Sequence, residues 1–402
     1  MIATLVIFAA TYLVVAIGRV PGLRLDRAGA ALIGAALMVA AGSLSLNEAY
    51  RAIDLDTLAL LLGMMLVVAN LRLSGFFALC HAAIVARAHR PVTLLIGIAL
   101  IAGLLSAVLV NDAVCLMLTP LVVETARAVK RNPVPYLLAL AMASNAGSLA
   151  TIIGNPQNMM IGSFSHIGYG DFAAHLAPVA ALALAVVVIL IVLVWRREFL
   201  GGARFAAEMP APRIDLFLLV KTVAVTVAIV LACFFGMRPS LAAILGGSLL
   251  FLTRRVKPAR IYRDVDWSLL LLFVGLFVVV AAMQKAVLTP SVLRGAGGLA
   301  LNQTPILALV AAVLSNLVSN VPAVLVLKPF VANLADPRHG WLVLAMASTL
   351  AGNFTLLGSV ANLIVVQGAE RRGVAIGFWT YFLVGGPVTV ITLAAGAAWL
   401  AR

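Results

Sequence analysis

Four clusters of Asn, Ser, Gly and Pro interrupt stretches of sequence that are otherwise strongly apolar. Two are short and centre on one Asn, at residues 109–113 and 318–322, and two are longer, at residues 144–158 and 348–362. In hydrocarbon, non-helical backbone is tolerated only where protein encloses it or where it lines a cavity. Each interruption exposes helix N-termini, which favour an anion, and bare carbonyls, which favour a cation. The clusters therefore predict one binding site for a small polar solute, with no catalytic group.

The candidate solute ligands are the amide and hydroxyl side chains of these clusters and one carboxylate: Asn111, Asp112, Ser144, Asn145, Asn155, Asn158, Ser319, Asn320, Asn353, Ser359 and Asn362. Such side chains also serve simply as packing and hydrogen-bonding residues between membrane helices. Four interruptions at matching positions in the two halves of the chain favour the binding site over that simpler interpretation.

Asp112 is the one acidic residue that the sequence places near the middle of an apolar segment. An ionisable group at such a position costs about 2.5–3.5 kcal/mol on insertion scales, so it usually marks the path of an ion or a proton. We expect Asp112 to bind a cation or to take up a proton during the cycle. The alternatives are an acid that stays protonated and an acid that caps the adjoining helix.

The elements that position these clusters must be helices in a bilayer. The chain has 402 residues, of which 64% are hydrophobic and 10% charged, and its mean hydropathy is +1.14. A soluble domain has about 45–50% apolar and about 25% charged residues, so a single core could not hide this excess from water. At about 20 residues per crossing, the apolar runs predict an all-α polytopic membrane protein with about ten spans plus two re-entrant hairpins.

The second half of the chain repeats the first. The segment NDAVCLMLTP from Asn111 resembles NVPAVLVLKP from Asn320, and residues 140–158 resemble residues 344–362. The predicted repeats are residues 1–195 and 214–402, joined by a charged cytoplasmic linker at 196–213. Each repeat contains one re-entrant hairpin followed by one broken helix: 93–128 and 136–166 in the first, 305–333 and 341–366 in the second.

The 28 Lys and Arg residues lie mostly in loops. If both hairpins return to the face that they entered, the loops containing Arg72, Arg127, Arg196 and Arg371 share one face, called the basic face below. Positive loops mark the cytoplasmic side, so we expect an inner-membrane protein whose N-terminus is outside and whose repeats have opposite topology. The net charge of +14 then reflects membrane orientation, and no nucleic-acid partner is expected.

No motif in the sequence predicts an enzyme, a cofactor or a bound metal. There is no GxxxxGK[ST] loop for ATP and no GxSxG around a serine, and the five His residues have no second ligand at i+4. ATP hydrolysis would therefore need a separate ATPase subunit. The energy source that we expect is a gradient of sodium ions or protons.

The motifs NDAVCLMLTPLV, GNPQN, SNVPAVLV and GNFTLLGSVAN resemble the arsenical-pump permease and P-protein branch of the ion-transporter superfamily, over nearly the whole chain. More distantly, they are similar to the sodium-coupled dicarboxylate transporters, which have Ser-Asn-Thr at both hairpin tips. The resemblance implies that Asn111 and Asn320 occupy the two tips beside the solute. It also implies a homodimer in which each protomer moves its solute by an elevator-type mechanism.

The resemblance further implies that the unwound loops hold the solute or a coupling ion. The candidate ligands of that ion, with Asp112 added from its own position in the sequence, are Asp112, Asn111, Gly154, Asn320 and Gly358. Asp112 and Val321 replace the threonines of the dicarboxylate pattern, which removes two hydroxyl donors and adds a carboxylate. This departure argues against citrate or succinate as the solute.

The sequence thus predicts a secondary active transporter of a small inorganic solute, with arsenite or another oxyanion favoured. The alternative is a sodium/proton antiporter in which Asp112 exchanges one ion for the other. A third interpretation is a channel, which would differ because its flux does not saturate.

Overall fold

The computed structural model describes residues 2–17, 25–199, 212–252, 255–287 and 300–402. All regular secondary structure in those residues is helical, which confirms the predicted all-α class. Of the predicted linker at 196–213, residues 200–211 lie outside the described residues.

The first half of the chain forms eleven of the described helices. They are α1 (Ile2–Ile17), α2 (Arg27–Ala40), α3 (Leu46–Ala52), α4 (Leu55–Ser74), α5 (Phe76–Arg87), α6 (Pro91–Val108), α7 (Asn111–Ala128), α8 (Pro133–Ser148), α9 (Pro156–Ser165), α10 (Tyr169–Val194) and α11 (Arg196–Phe199).

The second half supplies nine further helices among the described residues. They are α12 (Leu216–Phe234), α13 (Pro239–Leu249), α14 (Pro258–Arg263), α15 (Trp267–Val287), α16 (Thr304–Val318), α17 (Asn320–Val331), α18 (Pro337–Ala351), α19 (Val360–Glu370) and α20 (Phe378–Leu400).

Six of the described helices, namely α4, α6, α10, α12, α15 and α20, are long and apolar enough to cross a membrane. Several other apolar helices, among them α1, α2, α13, α16, α17 and α19, have only 10–17 residues. At about 1.5 Å per residue, the shortest of these span only part of a hydrocarbon core about 30 Å thick. Their ends therefore lie within the protein, where other elements must supply hydrogen-bond partners for the backbone N–H and C=O groups at those ends.

The two repeats run in opposite directions, as predicted. Arg72, near the end of α4, donates a hydrogen bond of 2.7 Å to Asp264, which precedes α15. Lys285, near the end of α15, donates one of 2.6 Å to Glu48, which precedes α4. The start of each helix thus lies beside the end of its counterpart, which is the arrangement of an inverted repeat.

The helices form two groups, each of which combines parts of both repeats. In the frame unit (α1–α4 with α12–α15), α2 packs against α15 and α4 packs against α13. In the hairpin unit (α6–α10 with α16–α20), α6 packs against α8, α16 against α18, and α10 against α20. Helix α5 contacts α4, α6 and α7, and so connects the two units.

Two matched glycines let the frame helices approach closely. A Cβ atom on Gly63 would lie 2.4 Å from the carbonyl carbon of Ala243, and a Cβ on Gly275 would lie 2.5 Å from that of Ala31. The two contacts occupy equivalent positions in the two repeats. Small residues at such points allow backbones to pack directly against each other, as is typical of membrane helices.

The Gly63→Ala substitution should destabilise the frame unit, because the added methyl group can fit only if α4 and α13 move apart. Overpacking of this kind costs about 1–3 kcal/mol. We expect a lower melting temperature of the purified protein in detergent. The control is Gly170→Ala in α10, where the nearest atom, on the Phe234 ring, would be 3.5 Å from the new Cβ. Equal melting temperatures for the two variants would contradict this account.

Candidate solute-binding site

Four helices of the hairpin unit begin at one small cavity. They are α7 at Asn111, α9 at Pro156, α17 at Asn320 and α19 at Val360, and all four residues line a cavity of about 50 Å³. Two of these helices follow the tips of the hairpins, and two follow the breaks. The opposite wall of the cavity comes from α1, α2 and α15 of the frame unit. The site therefore lies at the interface between the two units.

Local sequence explains why the helices begin at these points. Asn155 precedes α9 in an extended conformation, and its side chain accepts a hydrogen bond from the Asn158 N–H at 2.8 Å. Pro156 follows at the first helical position, where its fixed φ and missing N–H are tolerated. Ser359 caps α19 in the same way by accepting from the Ala361 N–H at 3.2 Å.

Backbone donors remain free at all four helix starts. The N–H groups of Asp112, Gln157, Val321 and Val360 have no hydrogen-bond acceptor in the part of the chain that the structure describes. Each belongs to a residue that lines the cavity. The N-terminal end of a helix also has a partial positive charge. Together these groups can bind the oxygen atoms of an anion or of a hydroxylated solute.

Two equivalent asparagines satisfy the unwound backbone behind the cavity. The Nδ2 atom of Asn158 donates to the carbonyl oxygens of Ser148 at 3.2 Å and Thr151 at 3.0 Å. Asn362 repeats this arrangement in the second break, with bonds of 2.7 Å and 3.1 Å to the carbonyls of Gly352 and Thr355. The loops are therefore held in one conformation by buried amides.

Asn145 connects the breaks of both repeats. Its Nδ2 atom donates to the Oδ1 atoms of Asn353 and Asn362, both at 3.0 Å. Its Oδ1 atom accepts from Asn111 Nδ2 at 3.0 Å and from Ser359 Oγ at 3.1 Å. The Asn145 side chain thus joins the first hairpin tip to the break of the other repeat.

Thr349 is the counterpart of Asn145 in the second repeat and makes the reciprocal contacts. Its Oγ1 atom accepts from the amides of Asn155 and Gln157, each at 3.3 Å, and lies 3.4 Å from the Oδ1 atom of Asn158. Each broken helix is therefore bonded to the loop of the opposite repeat.

The two hairpin tips are held by the neighbouring breaks. The Asn111 N–H donates to the Gly154 carbonyl at 3.0 Å, while its buried Oδ1 atom has no partner among the described residues. With its amide nitrogen toward the carbonyls, Asn320 donates to Ser348 at 3.2 Å and to Gly358 at 3.3 Å. Two of the carbonyls implied as ion ligands, those of Gly154 and Gly358, thus face the tip asparagines.

Ser319, at the second tip, has a φ of 79° and a ψ of 159°, a conformation that favours glycine. A residue held in such a region costs about 1–3 kcal/mol, and such residues cluster at functional sites. The first tip has no equivalent, because Val110 adopts an ordinary extended conformation. The two hairpins therefore differ at the point where they meet the cavity.

The structure brings all the sequence-predicted ligands together, in two layers. The first layer lines the cavity and comprises Asn111, Asp112, Ser319, Asn320 and Ser359. The second layer lies buried behind it and comprises Ser144, Asn145, Asn155, Asn158, Asn353 and Asn362. The second layer holds the tips and loops in place rather than lining the cavity itself.

Sequence reasoning missed two polar residues that line the cavity, Gln157 and Arg27. Gln157 belongs to the GNPQN motif, and its position in the break could have identified it as a candidate site residue. Arg27 is the first residue of α2, and no sequence motif placed it near the site. Its charge predicted only a loop on the basic face. Lys328, in the second hairpin, places its ammonium group 3.6 Å from the centre of the Phe164 ring.

Comparison with known proteins identifies the family. The model of the citrate transporter family, CitMHS, matches residues 5–351. An uncharacterized transporter of Mycobacterium tuberculosis is 31% identical to the chain and covers 99% of it, and the chain covers 98% of that relative. The silicon efflux transporter LSI3 of Oryza sativa subsp. japonica is 29% identical, with 97% of this chain and 96% of that protein covered.

A transporter of Dictyostelium discoideum named arsB is 25% identical, with 93% of this chain and 87% of that protein covered. Among solved structures, the YdaH transporter of Alcanivorax borkumensis has a TM-score of 0.61 at 15% identity, with 98% and 95% of the two chains covered, and so supports the fold. The resemblance to the ion-transporter superfamily is confirmed, and the chain belongs to its citrate transporter family, CitMHS, as a multi-pass membrane transporter.

Proposed function

We propose that the protein is a secondary active transporter of a small inorganic solute, with arsenite or another oxyanion favoured. The observation on which this rests is the convergence of four helix N-termini on one cavity between the two units. Free N–H groups at helix starts bind oxygen atoms, and the positive ends of the helix dipoles favour negative charge.

The size of the cavity favours a solute with a single central atom. A volume of about 50 Å³ accommodates roughly three to five water molecules at about 10–15 Å³ each. An oxyacid of arsenic or silicon is compact enough for such a space. The names of two relatives, a silicon efflux transporter and arsB, support the same class of solute. The name of the matching family points to citrate, which therefore belongs among the solutes to be tested.

The division into two units supports an elevator-type cycle. Nearly all the polar groups at the cavity belong to the hairpin unit, and their hydrogen bonds link both repeats within that unit. The frame unit contributes mainly apolar residues, such as Val15, Leu269 and Leu272. The hairpin unit can thus carry the bound solute past the frame, in the way that alternating access at an inverted-repeat interface requires.

The cellular setting follows from the distribution of charge. The basic face lies in the cytoplasm of a cell whose inner membrane holds the protein, and the N-terminus is outside. A homodimer and a sodium or proton gradient complete the proposal, since the sequence has no GxxxxGK[ST] loop of its own for ATP.

Asp112 supports a second candidate function, a sodium/proton antiporter. Its side chain lines the cavity and makes no hydrogen bond or ion pair within the described residues. A carboxylate so placed can take up a sodium ion and a proton in turn. The antiporter would move protons in response to sodium with no oxyanion present.

Purified protein in liposomes should exchange arsenite or silicate in counterflow, in which unlabelled solute inside drives uptake of labelled solute outside. A carrier does this because one site alternates between the two sides. Citrate should give no exchange, because Asp112 and Val321 replace the hydroxyl donors of the dicarboxylate pattern and Asp112 adds a carboxylate. The same liposomes also receive a sodium pulse with a pH-sensitive dye inside. A sodium-driven pH change without exchange of either oxyacid would favour the antiporter, and citrate exchange would contradict the proposed solute class.

Asn145→Ala should reduce solute exchange by about tenfold or more while the protein still folds. The substitution leaves the Asn111 Nδ2 atom and the Oδ1 atoms of Asn353 and Asn362 without their hydrogen-bond partner, at about 1–3 kcal/mol for each. The matched control is Asn333→Ala, because Asn333 is exposed and its side chain bonds only to the Pro329 carbonyl. Equal exchange by the two variants would show that the buried amide network is not needed for transport.

Asp112→Asn should make solute exchange insensitive to pH. Acidification protonates Asp112 and removes the carboxylate that accepts a hydrogen bond from a hydroxyl group of a weak oxyacid, so such a solute should bind less tightly as the pH falls. The Asn variant cannot ionise and should keep one affinity at every pH. Glu124→Gln, at an exposed position of the same helix α7, should behave as the parent protein does. A parental pH profile in the Asp112 variant would refute this role.

A further inference from the structure

Arg27 is a half-buried cation at the candidate solute cavity, and none of the described residues pairs with it. It is the first residue of α2 in the frame unit and lines the cavity opposite the two hairpin tips. No hydrogen bond or ion pair to its guanidinium is present in the part of the chain that the structure describes, although Asp112 lines the same cavity.

A guanidinium in this position needs an acceptor. Arg stays charged at all accessible pH values, and removing it from water is costly unless a partner replaces the lost hydration. The four helix starts at the cavity present N–H donors, which cannot accept from Arg27. The forked donors of a guanidinium match the oxygen atoms of oxyanions. Asp112 and the Oδ1 atom of Asn111 line the same cavity but make no hydrogen bond to Arg27, so an oxygen atom of a bound solute can complete its coordination.

The inverted repeat places another arginine near the equivalent position on the other side. Arg238 lies one residue before Pro239, the counterpart of Arg27 at the start of α13, and α13 packs against α4 as α2 packs against α15. Arg238 lines a second cavity, of about 360 Å³, between α4 and α13 of the frame unit and α9 and α10 of the hairpin unit. Leu60 lies in this cavity, and its repeat counterpart Leu272 lies beside Arg27.

The second cavity also contains polar groups without partners. Arg238 is exposed and has no hydrogen bond or ion pair with other described residues. Tyr169, which lines the same cavity, is buried, and its hydroxyl group has no partner among the residues that the structure describes. Arg238 and Tyr169 thus both present polar groups to the second cavity.

From this symmetry we infer that Arg27 and Arg238 are specificity-determining residues that contact the solute in alternation. This inference rests on the proposed function as a transporter of oxyanions. Arg27 contacts the solute when the site opens toward the basic face. Arg238 takes the equivalent place when the hairpin unit has moved toward the other face. The frame thereby offers a guanidinium to the solute at both ends of its path.

The test measures solute exchange separately from each face, in liposomes sorted by protein orientation and with saturating solute on the far side. The probe is whichever of arsenite and silicate exchanges in the parent protein. Arg27→Gln should raise the half-saturating concentration on the basic face by about tenfold or more, since a hydrogen bond to a charged group contributes about 1.5–3 kcal/mol. It should leave the value on the other face unchanged. Arg238→Gln should show the reverse pattern.

Matched controls separate a direct contact from a general effect of charge. Arg87→Gln on the basic face and Arg51→Gln on the opposite face remove exposed arginines that line neither cavity. Both should behave as the parent protein does. Arg27→Lys should recover part of the affinity, because it keeps the charge and loses the fork. Melting temperatures of all the variants in detergent confirm that each is folded.

Three outcomes would overturn the inference. Parental affinities from both faces for Arg27→Gln would show that Arg27 does not touch the solute. An equal loss on both faces would show an effect on the whole protein rather than on one state. If the parent protein exchanges neither arsenite nor silicate, the proposed function fails first, and the role of Arg27 fails with it.

Discussion

Backbone polar groups inside a bilayer must find their partners within the protein, and the hairpin unit is organised around this requirement. Two of its helices stop midway, which frees carbonyl groups at the centre of the molecule. Asn158 and Asn362 satisfy those carbonyls with their amide nitrogens, at distances of 2.7–3.2 Å. Because the broken helices are stabilised in this way, their second halves can begin at the cavity and present free N–H groups to it.

The side chains of Asn145 and Thr349 connect the two repeats by hydrogen bonds. Asn145 bonds to the second break and Thr349 bonds to the first, so neither break can rearrange without disturbing the other. Such a network favours movement of the hairpin unit as one body. The contact of that unit with the frame is different in kind, since the frame side of the cavity is mainly apolar. A sliding motion there would break few hydrogen bonds.

Opposing charges make the cavity selective. Four helix starts and Arg27 favour negative charge, whereas Asp112 opposes it. A fully ionised anion would meet repulsion from Asp112, while a solute that keeps a hydroxyl group can donate to that carboxylate and accept from the N–H groups. The free Oδ1 atom of Asn111 adds a second acceptor for such a hydroxyl. Under the proposed function, this combination of groups suits weak oxyacids better than strong ones.

Local features of the sequence determined the helical class, the duplication and the clusters around Asn111, Asn145 and Asn320, because hydropathy and helix-breaking residues act over short distances. They also predicted which asparagines lie near the site. Only the tertiary structure decided which of them face the cavity and which stand behind it, because that depends on how two antiparallel repeats cross. Arg27 shows the difference best. Its neighbours in the sequence predict a charged loop. In the structure, the frame packs against the hairpin unit so that Arg27 lines the cavity. A contact between residues so distant along the chain cannot be predicted from a local pattern.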